Sequence, residues 1–158
     1  MELFLYDETI HQKLDNGLSF IEAVNKKGII AGIKVDKGAK DLAVHEGEKV
    51  TEGLDGLRDR LVQYAAMGLK FAKWRAVITI GNNIPSHACI ESNAHALARY
   101  AALCQENNIV PIIEPEVLMN GSHTLEDSKR QQKQRSIRFS STYINKELCL
   151  RVLFLSPT

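Results

Sequence analysis

Apolar positions along the chain fall into two alternating patterns, short continuous runs and stretches with helical spacing. Leu3-Phe4-Leu5-Tyr6 is a short apolar run and predicts a buried strand. Ser19-Phe20-Ile21-Glu22 has the spacing of a capping box, in which hydroxyl and carboxylate each satisfy a free amide at a helix start, and Gly28 is placed to end that helix. Ile29 to Asp36 predicts a second strand, followed by a polar loop to about Glu52. Leu54, Leu57, Leu61 and Tyr64 recur at helical spacing before Gly68. Lys70 to Val77 predicts a third strand. Pro85-Ser86 opens a long helix with Ile90, Ala94, Leu97, Ala101 and Cys104 on its buried stripe, and Asn107-Asn108 closes it. Ile109 to Glu114 predicts a fourth strand.

A strand–helix repeat implies parallel strands joined by helical crossovers, an α/β fold of about four strands. Continuous apolar runs suit strands covered on both faces. Pro111 is awkward in a central strand and tolerable near its start.

The last three strands each end in a pair of charges: Lys34/Asp36, Lys73/Arg75 and Glu114/Glu116. Residues two apart on a strand share a face, so each strand end aims its pair one way. β/α barrels and open α/β sheets place their chemistry at that end. Trp74, between two charges, points to the opposite face and is expected to pack. Lys and Arg so placed would hold phosphate oxygens, and a neighbouring carboxylate could move a proton. These residues predict a site for an anionic, phosphorylated small molecule with acid–base chemistry at a carbonyl. The competing reading is that each charge solvates a strand end or forms an ion pair. No glycine-rich phosphate loop, GxGxxG or GxxxxGKS, occurs.

Composition narrows the classes. The chain has 158 residues, 44% apolar and 25% charged, ordinary for a globular domain. Net charge is +1, so no global field points to nucleic acid or membrane. The charge is unevenly spread: from Lys129 onward seven Lys/Arg face one Glu, net +6, and the first 128 residues carry 13 Lys/Arg against 18 Asp/Glu, net −5. Three widely spaced cysteines, Cys89, Cys104 and Cys149, predict neither a disulfide framework nor a zinc site, and the histidines form no HExxH pair, so no metal is expected. The first residues lack a signal-peptide pattern, and no apolar run approaches the roughly 18 residues a membrane helix needs, so a cytoplasmic location is expected.

Four blocks carry a family resemblance: Gly32-Ile33-Lys34-Val35-Asp36-Lys37-Gly38, Glu52-Gly53-Leu54-Asp55-Gly56-Leu57, Phe71-Ala72-Lys73-Trp74-Arg75 and Val110-Pro111-Ile112-Ile113-Glu114-Pro115-Glu116. Together with Leu97 to Ala101 and Cys104 to Asn107, they resemble class I (Schiff-base) fructose-bisphosphate aldolases, with a bacterial flavour. The resemblance runs from about Leu3 to Glu126. It implies part of a (β/α)8 TIM barrel over residues 1–126, and a divergent basic tail over 127–158 without a recognised counterpart. It implies reversible cleavage of fructose 1,6-bisphosphate into dihydroxyacetone phosphate and glyceraldehyde 3-phosphate, with no cofactor or metal. Glu114 would be the acid/base residue for carbinolamine dehydration. Lys73 would polarise the intermediate and contact substrate. Lys34, Asp36, Arg75 and Glu116 would line the pocket.

The family's Schiff-base lysine lies in a block resembling LEGxLLKPN, and these 158 residues contain no such block. The first-strand acidic residue, the later phosphate loop and the C-terminal arginine are also without counterparts. The expectation is therefore an incomplete copy, inactive alone, that self-associates or joins a full-length aldolase. The alternative is a non-catalytic piece binding a phosphorylated ligand. A third reading moves the covalent chemistry to Lys34 or Lys73, which would have to be neutral. Leu148 to Leu155 could add a strand at an edge. The run Lys129 to Arg135 is expected to be solvated, with nucleic acid not the expected partner.

Overall fold

The computed structural model describes residues 1–79, 81, 84–118 and 153–154. Its main sheet has five parallel strands in the order β1 (Glu2–Leu5), β2 (Ile30–Lys34), β5 (Phe71–Thr79), β6 (Val110–Leu118), β7 (Leu153–Phe154). Helices α2 (Phe20–Lys26), α3 (Leu57–Ala66) and α4 (His87–Glu106) form the crossovers between the first four of these strands, with a four-residue turn of helix, α1 (Asp7–Ile10), after β1.

The starts and stops of these elements are local. Ser19 accepts from the Glu22 amide while Glu22 accepts from the Ser19 amide, the full capping box. Ser86 caps α4 by accepting from the Cys89 amide, and Asn108 sits at φ 55° just beyond the other end. Of the expected α4 stripe, Ala94, Leu97, Ala101 and Cys104 are buried, and Ile90 is half-buried.

The sheet has two unlike faces. Ile33, Ala72, Trp74, Ala76 and Ile113 face the helices and join Leu57, Leu61, Tyr64, Leu97, Tyr100 and Cys104 in one core. Trp74 is fully buried, its ring 5.4 Å from that of Tyr100, as its place between two charges leads one to expect. Burial pushes the Cys104 thiol up to about 12, so it is an inert core group. The opposite face carries Phe4, Gly32, Lys34, Phe71, Lys73, Arg75, Ile112, Glu114 and Glu116, by alternation and register. A Cβ on Gly32 would lie 2.0 Å from the Phe71 ring, so the missing side chain is what seats that ring, edge-on to Phe4 at 4.9 Å.

Four expectations need correction. Residues Leu3 to Tyr6 are not a wholly buried strand: β1 is the sheet's edge, only Leu5 is buried, and Phe4 is 40% exposed. The polar loop contains an antiparallel pair, β3 (Ala39–Asp41) with β4 (Lys49–Thr51). Their three-residue length and polar sequence leave no period-two signal to read. The main sheet has five strands instead of about four, and the fifth, Leu153–Phe154, bears out the expectation that Leu148 to Leu155 adds a strand at an edge. Finally, β6 runs on through both prolines to Leu118. The Val110 amide donates to Lys70 O, so even-numbered amides of β6 face β5 and odd-numbered ones the other edge. Pro111 and Pro115 therefore lack only donors that would point away from β5. The basic run from Lys129 to Arg135, the boundary at Glu126 and the rest of the tail lie outside the described residues.

The hairpin is tied to the sheet by buried polar groups. The Asn93 side chain accepts from the Thr51 amide and donates to Lys49 O and Cys89 O, while Thr51 donates to Arg75 O. Glu48 is 2% exposed and accepts from the Ser86 amide at the start of α4. Such satisfied groups fix the loop over the C-terminal end of β5.

Candidate active site

Parallel register brings the three charge pairs together, but the expectation that each ends its strand needs correction: Lys34 ends β2, whereas Lys73 and Arg75 lie within β5 and Glu114 and Glu116 within β6, because both strands run on past them. Lys34 pairs with Lys73 across β2 and β5, and Arg75 pairs with Glu114 across β5 and β6. The six side chains resolve into three ion pairs. Lys34 Nζ lies 2.8 Å from Asp36 Oδ1, Lys73 Nζ lies 2.7 Å from Glu114 Oε2, and Arg75 contacts Glu116.

These pairs are not equivalent. Asp36 is enclosed, its side chain 3% exposed. Its Oδ1 also accepts from the Gly38 amide at 3.1 Å, and its Oδ2 accepts from the Arg75 amide at 3.4 Å. A Cβ on Gly53 would meet Lys37 N at 3.0 Å and Asp36 Cα at 3.1 Å, so the glycine is what lets that loop close over the aspartate. Asp36 thus holds the turn after β2 and orients Lys34. Its oxygens are occupied by Lys34 and two backbone amides.

Lys73 and Glu114 are about a quarter exposed, 27% and 26% by side chain. Their contact has ion-pair distance without hydrogen-bond alignment, and Lys73 Nζ also sits 5.6 Å from the Phe4 ring centroid. A half-open, loosely aligned pair can exchange its partner for a ligand at lower cost than a buried one.

Arg75 and Glu116 lie further out, at 45% and 31% exposure. The hydrogen bond from Arg75 holds the Glu116 carboxyl below its usual range, helped by the charges of Arg75 and Lys73. The same bond raises Arg75. A depressed carboxyl contributes stability that is complete above its unfolded value of about 4.3 and is lost as pH falls through the lower folded value. Solvent screening keeps this below about 1 kcal/mol. Glu116→Gln is therefore expected to flatten the acid limb of the stability curve below about pH 4, lowering neutral stability by up to about 1 kcal/mol and converging with the wild type at low pH. Urea melts across that range check this, and superimposable acid limbs would contradict it.

A cavity of about 350 Å³ adjoins the cluster, lined among others by Tyr6, Asp7, Lys34, Asp36, Lys37 and Arg60. It includes neither Lys73 nor Glu114. Arg60 donates to Val35 O at 3.1 Å and Gly53 O at 2.6 Å, bracing the end of β2. The Tyr64 hydroxyl donates to Asp7 at 2.6 Å, and burial, then the bond to Asp7, pushes its pKa above the ordinary phenol value. Sequence reasoning passed over Arg60, Asp7 and Phe4, since a lone helix charge, a turn acid and an edge aromatic carry no motif. No group of three or more metal-ligating side chains occurs among the described residues.

Parallel strands with helical crossovers packed on one face of the sheet, and charges gathered on the other, are the architecture of part of a β/α barrel. The family model for class-I fructose-bisphosphate aldolase matches residues 2–156. A Xanthomonas axonopodis protein named "Probable fructose-bisphosphate aldolase class 1" is 64% identical over 122 residues, 77% of this chain and 36% of that protein. Cytosolic fructose-bisphosphate aldolase 4 of Arabidopsis thaliana is 52% identical over 124 residues, 78% of this chain and 32% of its own length. Fructose-bisphosphate aldolase from Plasmodium falciparum superposes with a TM-score of 0.87 at 38% identity, covering 97% of this chain and 45% of that one. The chain belongs to the class I fructose-bisphosphate aldolase family. It spans about a third of the length of the curated relatives it matches. No helix among the described residues is long and apolar enough to cross a membrane.

Proposed function

We propose that this chain supplies the acid–base and substrate-contact part of an aldolase site, acting on fructose 1,6-bisphosphate in glycolysis and gluconeogenesis in the cytoplasm. The observation that carries the reading is the Lys73–Glu114 pair at 2.7 Å, on the adjacent strands β5 and β6 with Arg75 alongside, in a chain of this family. Glu114 gives a proton to the departing hydroxyl of the carbinolamine, which leaves as water while the iminium forms, and takes a proton back in the reverse step. Lys73 stabilises negative charge on substrate oxygens, and Lys34 and Arg75 provide further positive charge for phosphate. The covalent lysine is not among these residues. Cleavage then requires a lysine supplied from outside these 158 residues, and a full-length aldolase is one source of it.

Dihydroxyacetone phosphate is the direct probe. Calorimetry is expected to show binding by the chain, and loss of binding in Lys73→Met with its circular dichroism unchanged. Equal affinity in the two chains would remove Lys73 from the site.

A further inference from the structure

Tyr100 stands on α4, on the far side of the sheet from the charged cluster, yet its hydroxyl reaches into the sheet between two strands. The bond from the Val110 amide to Lys70 O sets the alternation of the β5–β6 ladder. By that alternation the Ile112 amide and Ala72 O are the next donor and acceptor facing each other across β6 and β5. The Tyr100 hydroxyl touches both ends of that rung: it donates to Ala72 O at 2.6 Å and accepts from the Ile112 amide at 3.1 Å. Ile112 O lies 3.3 Å away as a second, longer contact. The ring is fully buried, and burial raises the phenol well above its ordinary range, so it stays a neutral donor and acceptor.

The rung has a particular address. Ala72 immediately precedes Lys73, and Ile112 is two residues before Glu114 on the same face. Whatever sets the spacing of β5 and β6 here sets the distance between Lys73 and Glu114. We infer that Tyr100 is a positioning residue, its hydroxyl fixing the separation and stagger of β5 and β6 so that Lys73 is held against Glu114. Its chemical significance rests on the proposed roles of that pair. The other charges around Glu114 are Arg75 on β5, Glu116 on its own strand, Lys34 at the end of β2 and Asp36 in the turn after it. The Lys34–Asp36 pair does not span the β5–β6 gap and serves as an internal control.

The test is nuclear magnetic resonance on the intact chain. The cross-relaxation signal between the Lys73 ε-methylene and the Glu114 γ-methylene is expected in the wild type and lost in Tyr100→Phe, with the signal between Lys34 and Asp36 side chains retained. A Tyr100→Phe chain that melts lower yet keeps the Lys73–Glu114 signal would overturn the proposal, since a merely structural hydroxyl costs stability without moving the pair. If that variant does not fold, the reciprocal measurement decides. The chain is made with 3-fluorotyrosine, and the fluorine resonance of residue 100 is compared with and without Lys73→Met. A shifted resonance supports the coupling, and an unmoved one overturns it. Binding of dihydroxyacetone phosphate is scored separately: its absence in the wild type would sink the functional reading while these signals still report on Tyr100.

Discussion

Glu114→Gln is expected to slow aldol cleavage roughly a hundred- to ten-thousand-fold in any assembly where this chain provides the site, the range for a lost general acid–base group. The substitution keeps the volume of the side chain and removes its ability to give and take a proton. The cost should fall on kcat more than on KM, because the proton moves in the transition state and not on binding. A single-turnover assay with fructose 1,6-bisphosphate separates the two, and an unchanged rate would take Glu114 out of the mechanism. The half-open setting of Glu114 matters here. At 26% exposure it is accessible to a substrate hydroxyl, whereas Asp36 at 3% has its oxygens occupied by Lys34 and two amides. Of the three carboxylates, Asp36 is therefore the least able to act on substrate.

Trp74→Ala should be the most damaging change to the fold. The ring is fully buried between Tyr100 and the loop at Gly53, and truncating a buried Trp costs about 3–5 kcal/mol. Against a typical domain stability of about 5–15 kcal/mol, that is enough to unfold a marginal chain. Trp74→Phe should cost much less. The indole N–H has no hydrogen-bond partner among the described residues, so the smaller ring gives up no polar contact. Urea unfolding followed by circular dichroism measures both, and equal midpoints for wild type and Trp74→Ala would refute the packing role.

Much of this was legible before any coordinates. The capping box at Ser19, the stop at Asn108 and the buried stripe of α4 follow from local rules that tertiary structure did not override. Family membership followed from four sequence blocks, and the shared face of each charge pair followed from i, i+2 spacing, though not its place inside β5 and β6. The partner of each charge was not legible. Whether Lys73 meets Glu114 or Asp36 depends on stagger between strands distant in sequence, and on Tyr100 inside one rung. The hairpin was missed because its three-residue polar strands are specified by distant partners, Asn93 for Thr51 and Lys49 and the Ser86 amide for Glu48. The length of β6 was missed because a proline penalises a strand only where its N–H is needed, and the direction of that N–H is a property of register.

The central claim is that these residues handle protons and substrate oxygens while the covalent step belongs to a lysine elsewhere. Borohydride trapping tests it most directly: the purified, folded chain is incubated with dihydroxyacetone phosphate, reduced, and its intact mass read. The expected result is binding without a mass gain. A reduced adduct mapped to Lys34 or Lys73 would contradict the claim, because it would place imine chemistry on the residues assigned here to charge stabilisation.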